Sequence, residues 1–244
     1  MVALLKKEIN SFFSSLMGYI VLIVFLLSLG LIMWIFPGAE NNIIESGYAN
    51  MDSLFVIAPW VFLFLIPAVT MKMFAEEQKS GTIEVLLTQP LSELQIVIAK
   101  YFSAVLLVII ALIPTLVYYI SIYLLANPTG NIDTAGMIGS YIGLIFLCSG
   151  FSSIGVFSSA LSNNQIVAFI FALILCFFFY SGFEFVASII PNASVSNTLS
   201  QLGISSHYAS MSRGVIDTRD VIYFLSLTLI FIFLSRFILE KRKW

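Results

Sequence analysis

Six apolar runs dominate this sequence, each about as long as the roughly 20 residues a helix needs to cross a bilayer. They fall at about 18–36, 54–74, 101–125, 137–161, 166–190 and 221–239. In lipid a segment has to satisfy its own backbone polar groups, so runs of this length become helices. The third contains Pro114, which a membrane helix tolerates when neighbours re-satisfy the freed carbonyl. Charged residues make up 10% of the chain, against about 25% in soluble domains. That is too little polar surface for a globule of this size. The expectation is an all-α membrane protein, one transmembrane domain over residues 1–244 with six spans.

Charge position sets the expected orientation. With the N-terminus in the cytoplasm, Lys6, Lys7, Lys72, Lys79, Lys100, Arg236, Lys241, Arg242 and Lys243 all lie inside. Only Arg213 and Arg219 lie outside, while Glu40, Glu45, Asp52 and Asp133 fall in outer loops without Lys or Arg. Six spans then return the C-terminus to the cytoplasm. The first run is longer than the apolar core of a signal peptide and lacks a small-x-small cleavage site, so it reads as a retained span.

Residues 1–16 carry Leu5, Ile9, Phe12, Phe13 and Leu16 at helical spacing, with Lys6, Lys7, Glu8 and Asn10 elsewhere on the turn. This is either an amphipathic helix lying in the membrane interface or a plain extension of the first span. The fourth run is rich in small residues, including the pair Gly139 and Gly143. Small residues let helix backbones approach closely, which places this helix at the centre of the bundle. The outer segment 191–220 reads as short helices or a re-entrant hairpin.

The segment between the second and third spans gathers charge: Glu76, Glu77, Lys79, Glu84, Glu93 and Lys100. The second helix can run on past the membrane until Gly81 stops it in the left-handed conformation. Thr82 is placed to cap a short helix, with Glu84 in its first turn. Pro90 biases Gln89 out of the helix, and Ser92 with Gln95 forms a capping box for the third span. The result is an elbow whose short helix carries Ile83, Leu86 and Leu87. A helix this short is marginal alone, so that ridge needs a partner. Either the protein's own helix ends or a groove on a separate soluble protein would serve.

In sequence, this elbow resembles the cytoplasmic signature of the ABC-2 type transporter permeases. The residues that carry the likeness are Glu76 or Glu77, then Gly81, Thr82, Glu84, Leu86, Leu87, Pro90, Ser92 and Lys100. The six-span plan, the basic N-terminal helix and the long segment between spans five and six extend it over the chain. Within that family the general likeness is to the membrane subunit of gliding-motility transporters. The resemblance implies an inner-membrane permease whose elbow is a coupling helix seated on an ATP-binding cassette subunit. It also implies two permease copies, identical or paralogous, with two ATPases. The chain has no GxxxxGK[ST] loop, so ATP is expected on the partner, with no cofactor on this chain.

Other signals are weaker. Glu184 is a carboxylate within the fifth run; it is either a pathway residue or a group near enough the outer end to reach water. Phe177, Phe178, Phe179 and Tyr180 read as lipid- or helix-facing, and Lys72 as a lysine reaching up to the inner interface. Cys148 and Cys176 sit in apolar runs and read as packing residues. His207 has no Cys or second His beside it to share a metal. The net charge of −2 argues against a nucleic-acid partner. An intramembrane enzyme would need paired aspartates, a Ser–His or Ser–Lys pair or an HExxH helix, and none is present. The remaining alternative is a non-transporting anchor or scaffold that docks a cytosolic ATPase through the same elbow.

Overall fold

The computed structural model describes residues 1–37 and 42–241. Glu40, Arg242 and Lys243, used above for orientation, lie outside the described residues. Among the described residues the fold is entirely helical. Of the helices in the described residues, six are long and apolar enough to cross a membrane: Leu16–Ile35, Asp52–Lys79, Glu93–Leu125, Thr134–Leu161, Gln165–Ile189 and Thr218–Lys241.

The fourth span is the axis of the bundle. It packs against the second, third, fifth and sixth spans. Its glycines mark the closest approaches. A Cβ on Gly155 would stand 2.2 Å from the Thr70 hydroxyl on the second span, and one on Gly150 would touch Leu227 and Phe224 on the sixth. The pair Gly139 and Gly143 does not serve another membrane helix. Its faces receive the outer segment, with Gly214 backbone 2.4 Å and Met211 Cβ 2.7 Å from the positions of the missing methyls. That outer segment folds as two short helices, Ala193–Ser200 and Ile204–Met211. It is fastened to the second span by the Tyr208 hydroxyl, which donates to the Phe55 carbonyl at 2.8 Å.

Four spans depart from a regular α-helix: the first and fifth widen to π turns at Leu31–Ile35 and Phe178–Gly182, and the third and second are interrupted. The third tightens to a 3₁₀ turn at Ile113–Thr115, where Pro114 has no N–H to give. The Thr115 hydroxyl donates to the Leu112 carbonyl at 2.6 Å and meets the Tyr141 hydroxyl at 2.9 Å. The second breaks at Met71, between Asp52–Thr70 and Lys72–Lys79. There the buried Ser159 on the fourth span accepts from the Phe74 and Ala75 amides at 3.0 and 3.2 Å and donates to the Met71 carbonyl at 3.0 Å. One hydroxyl holds the break. Ser159→Ala leaves these buried groups short of a partner, an expected loss of about 1–3 kcal/mol. The check is thermal unfolding of the purified variant; an unchanged midpoint contradicts this role.

The N-terminal helix, Val2–Phe13, is a separate element and not an extension of the first span. A turn at Ser14–Ser15 intervenes, and Leu16, expected on the amphipathic stripe, opens the first span instead. The turn is tight because residue 18 is glycine: a Cβ there would lie 2.3 Å from the Phe12 carbonyl oxygen. Leu4 is buried, and Ile9, Phe12 and Phe13 pack against the core. Its main partner is the third span.

Candidate functional site

The elbow forms by local rules. The second span continues to Lys79, and Gly81 follows at φ 72°, ψ 2°, the left-handed stop expected of it. No neighbour crowds Gly81, so a side chain there would cost backbone strain alone. A short helix then runs Thr82–Leu87. Thr82 is its first residue and not its cap. Its hydroxyl is turned back to Ser80 Oγ at 2.8 Å, and that pairing is why the expected cap bond is missing. A three-residue turn centred on Pro90 brings the Leu91 amide to the Gln89 carbonyl at 2.7 Å, a shape that suits proline's fixed φ. Ser92 and Gln95 then close the expected capping box.

The apolar ridge of the elbow is divided. Ile83 is buried, and Leu86 and Leu87 pack half-buried on the protein's own core. The outward face carries Thr82, Glu84, Val85, Thr88, Gln89 and Pro90, all exposed, with Val85 at 62%. Leu86 and Leu87 are therefore largely used internally, and the apolar group offered outward is Val85. The spacing of the ridge could not separate these faces.

Behind the elbow lies a charge cluster. Lys100, on the third span, is fully buried. Its ammonium lies 2.8 Å from Glu8 Oε1 and donates to the Met73 carbonyl. It stands 2.9 Å from Glu77 Oε2 as an ion pair without hydrogen-bond alignment, and 4.9 Å above the Phe74 ring. Lys7 donates to the other oxygen of Glu77 at 2.7 Å. Three segments, the N-terminal helix and the second and third spans, are thus tied at one point. Glu77, not Glu76, is the buried member of the motif's two glutamates; Glu76 is exposed. Gln78 extends the fastening, donating to the Ala160 carbonyl at 2.9 Å at the end of the fourth span. Glu8 was invisible in this role, because its spacing put it on the polar side of an amphipathic helix.

Burial works against the Lys7 charge, but the hydrogen bond and charge of Glu77, with Glu8 beyond, outweigh it. Its pKa is held above the ordinary 10.5. A raised lysine pKa means that the fold favours the protonated form. This contribution is complete at neutral pH and fades as pH rises through and beyond the ordinary lysine range. A spin label on Asn10 should stay immobile through neutral pH and gain mobility only in strongly alkaline solution. Mobility gained near neutrality contradicts the pairing.

At the opposite end of the bundle, Glu184 is exposed and accepts from Ser205 at 3.2 Å. It lines a cavity of about 460 Å³ with Trp60, Tyr180 and Tyr208. Tyr180 is buried against Trp60 and Phe151, whereas Phe177 and Phe178 are exposed. His207 bridges Asp220 Oδ1 and the Gln201 carbonyl, each at 2.8 Å, and Ser210 also donates to Asp220. Sequence spacing had paired His207 with no residue. Because the serine and the histidine both meet the carboxylate, and the remaining histidine nitrogen meets a backbone carbonyl, this is a structural clasp of the outer helices onto the sixth span.

Compared with known families, residues 42–238 match the model of the ABC-2 family transporter protein. No curated protein matches the chain. The family match covers the elbow and all spans but the first, and the six apolar helices agree with it. The chain belongs to the ABC-2 family of transporter proteins and is a multi-pass membrane permease subunit.

Proposed function

We propose that the elbow is the coupling helix of this permease, the point at which a separate ATP-binding cassette subunit docks and does work. The observation that carries the reading is the division of the elbow's surface. Ile83, Leu86 and Leu87 anchor it inward, while Glu84, Val85, Thr88, Gln89 and Pro90 stand exposed beside one another. This is a small apolar patch with a charged rim, a suitable helix-in-groove ligand. The Lys100 cluster makes the elbow's root stiff. A displacement of the elbow would therefore move the second and third spans and the N-terminal helix together, as a rigid-body transition biased by nucleotide.

In this reading the N-terminal helix lies in the interface on the cytoplasmic side, both termini are cytoplasmic, and the membrane is the inner membrane. A second permease copy, identical or paralogous, completes the pathway. Glu184 lines an outer vestibule to that pathway. The general likeness to gliding-motility transporters supports export or force transmission as the output. Pull-down of the detergent-solubilised protein with mass spectrometry is the test. An ATP-binding cassette subunit and a second membrane copy should be retained; retention of neither overturns the reading. Substrate-stimulated ATPase activity in vesicles separates a transporter from an anchor that only docks an ATPase.

A further inference from the structure

A cavity of about 520 Å³ opens between the N-terminal helix and the first three spans, beside the root of the elbow. Its volume falls within the roughly 300–1,000 Å³ typical of small-molecule sites. Its wall is graded. At the elbow end it presents Lys72, Glu76 and Ser11; deeper it presents Val21, Ala68, Val69 and Leu107. The gradation repeats on neighbouring helices. On the second span, Val69 lies seven residues inward of Glu76, about 10 Å along the axis at 1.5 Å per residue. On the first span, Val21 follows Ser14 and Ser15 at its start. The cavity therefore passes from a polar to an apolar environment over about the depth of a bilayer interface.

The charges on the wall are of two kinds. Lys7, Glu8 and Glu77 are committed to one another and to Lys100. Lys72 and Glu76 have no ion-pair or hydrogen-bond partner for their side chains among the described residues, although they lie four residues apart on one helix. Lys72 is half-buried. A cavity that keeps one cation and one anion unpaired, above an apolar floor, suits a ligand with the opposite pair of charges and a greasy tail.

We propose that this cavity seats a zwitterionic aminophospholipid from the leaflet on the elbow side. Its phosphate would meet Lys72, its primary ammonium would meet Glu76, and its acyl chains would descend past Val69 and Leu107. The primary ammonium matters because it donates hydrogen bonds to a carboxylate, which a quaternary ammonium cannot do. An anionic lipid would satisfy Lys72 and leave Glu76 facing a like charge.

The test is native mass spectrometry of the full-length protein titrated with lipids of identical chains. Phosphatidylethanolamine should bind about tenfold tighter than phosphatidylcholine or phosphatidylglycerol, the effect of one charge-assisted hydrogen bond. Glu76→Gln should abolish that preference, Glu76→Asp should keep it, and Lys72→Gln should weaken all three lipids alike. Soluble glycerophosphoethanolamine should fail to displace the lipid, since it lacks the chains. Equal binding of the three lipids, tightest binding of phosphatidylglycerol, or full displacement by the soluble headgroup overturns the proposal. If a variant fails to fold, the ranking of lipids by the wild-type protein still decides.

Discussion

Lys100→Met should lower the stability of the bundle by about 3–5 kcal/mol, the usual effect of removing one partner from a buried ion pair. Lys100 is fully buried and holds Glu8 and Glu77, whose side chains are only 12% and 11% exposed. Without the ammonium, two nearly buried carboxylates would face each other with Lys7 alone to balance them. Lys7 cannot compensate, because its side chain is 58% exposed and an exposed pair contributes only about 0–1 kcal/mol. The Met73 carbonyl would also lose its side-chain donor. In thermal unfolding this should appear as a fall of roughly 10 °C. The triple variant Lys100→Met, Glu8→Gln, Glu77→Gln should recover much of that fall, because charge imbalance and not lost packing dominates. A single variant as stable as the wild type, or a triple variant no better than the single, contradicts this account of the cluster.

Glu84→Lys and Val85→Asp should do the opposite: leave stability nearly untouched and break coupling. Both side chains are exposed on the elbow, and surface changes away from special features usually stay within about 0.5 kcal/mol. If these residues sit at the centre of a docked interface, each substitution should weaken capture of the ATP-binding subunit tenfold or more, roughly what losing an interface hot spot costs. In reconstituted vesicles, ATP-driven output should fall in step with capture. The comparison that gives the result meaning is Lys79→Gln, a charge change on the same segment at the last turn of the second span, which should bind nearly as the wild type does. Equal loss in all three variants would point to a general charge effect and against a defined docking face.

The spans were legible because twenty apolar residues in a row leave the backbone one economical choice. The elbow was legible because Gly81, Pro90, Ser92 and Gln95 each act through local geometry, within a few residues of where they stand. What local rules could not supply was the meeting of distant residues. Glu8 and Lys100 are 92 positions apart, and nothing in the spacing of either pointed to the other. For the same reason nothing in the sequence showed that the Gly139 and Gly143 faces receive Met211 and Gly214 of the outer segment. Thr82 shows a local rule losing to a local competitor, since Ser80 offers its hydroxyl first. Val85 shows the limit of an apolar count on a short helix. With Ile83, Leu86 and Leu87 turned inward, the outward apolar group is the one the ridge left out.

Site-specific photo-crosslinking from Thr88 in intact membranes tests the central claim most directly. Thr88 is exposed at the end of the elbow helix, so a photoreactive residue there samples what the elbow faces without disturbing the core. The account predicts an adduct with an ATP-binding cassette subunit, lost when Glu84→Lys is added. Adducts with lipid alone, or a Thr88 that reacts only with reagents confined to the outer side of the membrane, would contradict it.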